Sequence, residues 1–124
     1  MPQKRPNILL ITTDQQRGDC LGCAGHPAVE TPFLDQLAEK GAHFPRAYTS
    51  VPSCTPARAG IITGMDQWNH GRLVMRGADA LEYPATLPGV LADAGYHTQG
   101  VGKMHHAPQR RLYGFHNMVL DESG

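Results

Sequence analysis

Cys54, Pro56 and Arg58 stand at alternate positions in the stretch Ser53-Cys54-Thr55-Pro56-Ala57-Arg58-Ala59-Gly60-Ile61-Ile62-Thr63-Gly64. Residues of these types at this spacing suit a nucleophile that works beside an anion. A residue before a proline is pushed out of the helical region, so Val51-Pro52-Ser53 reads as extended and turn-like. Pro56 fits a first helical turn, where its missing N–H has no partner to lose. The pattern predicts a helix over about 55–63 with Gly64 as its stop. Cys54 then lies at or just before the helix N-terminus, where backbone N–H groups and the positive dipole end stabilise an oxyanion. Arg58 falls about one turn along on the same face, within reach of attacking oxygens. A lone cysteine at a helix start is ordinarily a buried structural residue. Pro56, Arg58 and Thr63-Gly64 in register favour the reactive reading.

Two further groups carry candidate chemistry. Asp14 follows the β-prone run Asn7-Ile8-Leu9-Leu10-Ile11-Thr12-Thr13 and is a hard oxygen donor suited to a divalent cation. A lone aspartate there also suits a simple turn cap. Cys20-Leu21-Gly22-Cys23 has the spacing of a redox or zinc knuckle, but no second cysteine pair follows and the surroundings read as a turn.

The elements that must position these residues alternate in type. The run 7–13 has the composition of a strand buried on both faces of a parallel sheet. Its polar continuation through Asp19 lies at the strand's carboxyl end, the edge where open α/β sheets bind ligands. Thr31-Pro32 starts a helix with Phe33, Leu34, Leu37 and Ala38 as its apolar stripe and Gly41 as its end. Residues 42–49 read as a short extended segment, and 65–83 as an irregular polar stretch. Thr86 caps a helix that ends at Gly95, and 96–102 reads as a second strand running into Lys103-Met104-His105-His106. No firm element is expected over 107–124. This alternation argues for an α/β fold, with the polar clusters after the strands meeting beside the Cys54 helix.

The Cys-x-Pro-x-Arg motif, closed by Thr63-Gly64, resembles the signature of the sulfatase family. The resemblance continues in Asp14, Gly25-His26-Pro27, Thr31-Pro32, Gly102-Lys103-Met104-His105 and Tyr113-Gly114-Phe115, so it runs along most of the chain. It implies that residues 1–124 are the N-terminal part of a catalytic domain with an alkaline-phosphatase-like mixed sheet flanked by helices. It further implies that a maturation enzyme oxidises Cys54 to formylglycine, whose hydrated form attacks the sulfur of a small-molecule sulfate ester. A divalent metal, Ca²⁺ with Mg²⁺ or Mn²⁺ as alternatives, would be held by Asp14, an oxygen of the modified Cys54 and the side-chain oxygen of Gln15. Many sulfatases have a second aspartate at the position of Gln15. Asp14-Gln15-Gln16-Arg17 looks like the branch containing choline sulfatase and phosphonate monoester hydrolases. Lys103 and His105 match the family's Gly-Lys-x-His element: Lys103 would neutralise a sulfate oxygen, and His105 would take a proton as sulfate is expelled. His106 reads as an exposed neighbour. Asn69-His70-Gly71 also matches a recurrent family stretch, which makes His70 a candidate for a turn residue, a support behind the site, or a contact to substrate.

Family members are several hundred residues long, and the rest of their metal ligands lie downstream. This chain alone is therefore expected to bind metal weakly and to have negligible turnover. The competing readings are a phosphonate monoester or phosphodiester hydrolase of the same superfamily, a non-catalytic truncated remnant, and a small zinc or redox module. The bulk properties narrow the field. The 124 residues carry eleven basic and eleven acidic side chains with no run of like charge, which argues against nucleic acid or an anionic membrane as partner. Residues 8–11 are too few for a membrane span, and no small-residue cleavage site follows, so a cytoplasmic location is expected. Three cysteines argue against a disulfide framework. Oligomeric state has no signature in the sequence.

Overall fold

The computed structural model describes residues 5–75 and 82–121 and divides the chain into two compact units, Met1–Ala47 and Tyr48–Gly124. In the first, residues 7–13 form no strand, contrary to the expectation from their composition. A strand exists only through a ladder partner, and no described segment pairs with this one. Ile8, Leu9, Leu10 and Ile11 consequently stay exposed, Leu9 at 84%. The helix expected after Thr31 is present as α1 (Pro32–Lys40), with Gly41 beyond it. Its stripe is not covered: Phe33, Leu34 and Leu37 are all exposed.

Thr31 acts at α1 in an unexpected way. Its hydroxyl makes no cap bond to the helix. It accepts from the Gly22 N–H at 2.8 Å and donates to Asp35 Oδ1 at 2.8 Å. Asp35 Oδ1 also accepts the Cys23 N–H at 2.8 Å. These bonds pin a 3₁₀ turn, Gly22–Ala24, to the first turn of α1. The hydrogen bond from Thr31, first among several, holds the Asp35 carboxyl below the usual carboxylate range.

The second unit begins its regular structure at α2 (Cys54–Thr63), entered from the extended Ser53 and closed by Gly64 at φ 68°. Pro56 is wholly buried, with Thr55, Ala59 and Ile62 around the same stripe. Inside the stretch expected to be irregular lies a one-turn helix, α3 (Gln67–His70). Asp66 caps it, its Oδ1 accepting the Trp68 and Asn69 N–H groups at 2.9 and 3.0 Å. Thr86 caps α4 (Leu87–Asp93) by accepting from the Gly89 N–H at 3.2 Å. This helix stops before the expected Gly95, which takes φ 87° in the turn that follows.

The expected second strand appears as β1 (Gln99–Gly102), and a partner not expected from the sequence appears as β2 (Asn117–Leu120). They pair in parallel, Gln99 opposite Asn117 and Val101 opposite Val119. Parallel neighbours require a long crossover. Here residues 103–116 supply it, so the Lys103–His105 loop belongs to the link between the strands. Buried Thr98 braces its far end, its hydroxyl donating to the Gly114 carbonyl at 3.1 Å and accepting the His116 N–H at 3.2 Å.

Gly114 is where this crossover presses on α4. It has φ 96°, and a Cβ there would lie 2.4 Å from the Gly89 nitrogen. Gly114→Ala combines a strained backbone with a backbone clash and is expected to destabilise the protein by about 2–4 kcal/mol. A lowered thermal midpoint would register it; an unchanged midpoint would mean that Gly114 and Gly89 separate without cost.

Candidate active site

Cys54 is the first residue of α2 and is half-buried, at the helix end whose first N–H groups lie outside the intrahelical ladder. Arg58, one turn on, donates from its guanidinium to the backbone carbonyl of Lys103. This bond fastens the Cys54 helix to the loop after β1. Gly102 leaves the strand at φ 95°, and His105 takes φ 53°, a conformation unusual for a side-chain-bearing residue. Lys103 and His105 are both half-buried.

A small cavity of about 10 Å³ joins these elements, with Thr55, Ala59, Arg72, His105, His106 and Tyr113 among its walls. Thr55 follows Cys54 directly. Its Oγ1 is buried and meets no hydrogen-bond partner. The Cys54 helix and the Lys103–His105 loop therefore converge, as expected. Asp14 and Gln15 belong to the first unit, where both are exposed and Gln15 has φ 54°.

His70 sits elsewhere. It is only 3% exposed, and its Nδ1 accepts the Arg72 N–H at 3.1 Å. Its Nε2 is buried and meets no hydrogen-bond partner among the described residues. Nε2 faces the middle of α2, 3.9 Å from where a Cβ on Gly60 would stand. His70 packs α3 against α2. His106 also departs from expectation. Both its ring nitrogens are buried, and the ring meets Tyr113 edge-on with centroids 5.2 Å apart.

Thr55, Arg72, His106 and Tyr113 line the small cavity without a site assignment in the sequence motifs. Thr55 and His106 adjoin motif residues, Arg72 follows Gly71 in the α3 stop, and Tyr113 stands in the Tyr113-Gly114-Phe115 stretch of the resemblance, but none of these signals says which residues share a cavity. A wider groove of about 390 Å³ runs along α4 past Asp93, Arg111, Tyr83 and Tyr113. It is bordered by none of Cys54, Arg58, Lys103 and His105.

Cys20 is half-buried and Cys23 exposed, and neither is in a disulfide. Desolvation, with Asp35 adding to it, raises the Cys23 thiol above its ordinary value. Among the described residues, no three His, Cys, Asp or Glu side chains group so as to hold a metal ion, and no helix is long and apolar enough to cross a membrane.

The family model for sulfatases matches residues 6–122. The chain belongs to the sulfatase family. It is 50% identical over 118 residues to an arylsulfatase of Clostridium perfringens (strain 13 / Type A), an alignment covering 95% of this chain and 24% of that protein. Arylsulfatase A of Homo sapiens is 44% identical over 106 residues, covering 81% and 21% respectively. The fold matches the crystal structure of the phosphonate monoester hydrolase of Agrobacterium radiobacter with a TM-score of 0.83 at 32% identity. That match covers 96% of this chain and 26% of the hydrolase. The sulfatase chain thus spans about a quarter of the length of the proteins it matches, and its mixed helices and small parallel sheet form part of an alkaline-phosphatase-like fold.

Proposed function

We propose that this chain is the nucleophile-bearing, N-terminal part of an enzyme that hydrolyses small-molecule sulfate esters. The observation that carries this reading is the tie between Arg58 and the Lys103 carbonyl, which brings the Cys54 helix and the Lys103–His105 loop together in a sulfatase chain. Oxidation of Cys54 to formylglycine by a maturation enzyme would supply a hydrated aldehyde with two hydroxyls, one to attack sulfur and one to release the product. The start of α2 favours the negative charge that develops on the transferred group. Lys103 neutralises a sulfate oxygen. His105 accepts the proton that must leave before sulfate can depart.

The family implies a divalent metal, with Ca²⁺ the first choice and Mg²⁺ or Mn²⁺ as alternatives. The donors on this chain do not suffice for one: a single carboxylate (Asp14), an amide (Gln15) and one oxygen at residue 54 fall short of six or more oxygens. Further ligands would come from the remainder of the complete enzyme, and none of the steps above depends on the metal's placement.

A second reading is hydrolysis of phosphonate monoesters, favoured by the fold match and by Gln15 following Asp14. Comparing kcat/KM of the complete enzyme on paired aryl sulfate and aryl phosphonate monoesters separates the two. The sulfate is expected to be preferred; a preference for the phosphonate would replace the first reading with the second.

A further inference from the structure

Tyr113 links the helix α4 to the far end of the Lys103–His105 loop. Its hydroxyl donates to the Ala107 carbonyl at 2.5 Å, and its ring packs edge-on against His106 at an interplanar angle of 73°. It also walls the cavity that His105 and Thr55 share. Its own position is set from the opposite side. The Tyr113 carbonyl accepts from Thr86 Oγ1 at 2.6 Å, and Gly114 is pressed on Gly89. The Tyr83 ring lies 5.8 Å away, and the Arg111 guanidinium carbon 5.0 Å from the ring centre.

Tyr113 and His105 both hold positive φ, 48° and 53°. Side-chain-bearing residues keep such a backbone only where their surroundings over-determine it. For His105, the contact with His106 and the bond to Ala107 supply that constraint one and two residues further along the chain. Burial, the largest influence, pushes the Tyr113 phenol above its ordinary value, so the hydroxyl stays a donor throughout the neutral range.

We infer that Tyr113 is a positioning residue: acting through Ala107 and His106, it holds His105 where its imidazole can accept the proton in the sulfate-release step. This rests on the proposed function. In that step the second hydroxyl of residue 54 gives its proton to His105, and its O–H electron pair becomes the new C=O bond. The carbon–oxygen bond to the sulfate breaks, and its electron pair leaves with the sulfate.

The test is steady-state and stopped-flow kinetics of the complete enzyme on an aryl sulfate whose phenol is coloured. In Tyr113→Phe, which keeps the ring and loses the hydroxyl, kcat and KM are both expected to fall by about 5- to 20-fold, leaving kcat/KM near wild type. A burst approaching one phenol per active site should precede the slow phase. In a His105→Ala background, Tyr113→Phe should change kcat less than about twofold, since the two residues act as a unit. Tyr113→Asn tolerates the left-handed backbone but lacks ring and hydroxyl, and should show the same split with a larger fall. Wild-type kcat in Tyr113→Phe, a lower kcat/KM without a burst, or an undiminished effect in the double variant would each overturn the inference. Wild-type enzyme inactive on aryl sulfates overturns the proposed function first, and this inference with it.

Discussion

Cys54→Ser in the complete enzyme is expected to lower steady-state turnover of an aryl sulfate on the order of 10³-fold or more. Under the proposed function, the chemistry at residue 54 would have two parts, attack on sulfur and release of sulfate. Serine retains one hydroxyl at the start of α2, where the helix end and Arg58 still favour an anion. It can therefore take up the sulfo group, but no second hydroxyl is present to lose a proton and expel it. The covalent adduct should accumulate, and intact-mass measurement after incubation with substrate should find one sulfo group per chain. The substitution is nearly isosteric at a half-buried position, so stability should hardly change. Normal turnover in Cys54→Ser would refute the formylglycine mechanism.

Arg58→Ala should be the next most damaging change, with a loss of about 10²- to 10³-fold in kcat/KM. Its guanidinium bonds the Lys103 carbonyl from the same helix face as Cys54, so removing it releases the loop that carries Lys103 and His105. The lost charge-assisted hydrogen bond should also cost about 1.5–3 kcal/mol of stability. Arg58→Lys discriminates geometry from charge. A lysine keeps the cation but replaces a planar fork with a point donor on a flexible stem. Most of the activity loss should persist in Arg58→Lys while stability partly recovers. Full activity in that variant would mean that positive charge alone suffices at residue 58.

Local rules carried far in this chain where capping and turn chemistry decide. Helices α1, α2 and α4 start at or within a residue or two of where Thr31-Pro32, Cys54-x-Pro56 and Thr86 place them, because prolines and cap residues act within one turn. The α3 helix carried the same kind of signal, with Asp66 ahead of it and Gly71 behind, yet one turn of helix amid polar residues gives no periodicity to read. The strands were harder. Residues 7–13 have the composition of a buried strand and form none, while the four residues of β2 form one with little compositional warning. Strand formation depends on a partner, and a partner is a property of the whole fold.

The site divides along the same line. The sequence by itself determined the candidate nucleophile Cys54, its place at the start of α2, the Arg58 one turn on and the Lys103–His105 stretch, since residue type and short spacing specify all of these. Only the tertiary structure decided that Arg58 bonds the Lys103 carbonyl, that His70 packs beneath α2, and that Thr55, Arg72 and Tyr113 wall a cavity with His105. Those contacts join residues far apart in the chain, and the parallel pairing of β1 with β2 brings the crossover that holds them back against α4.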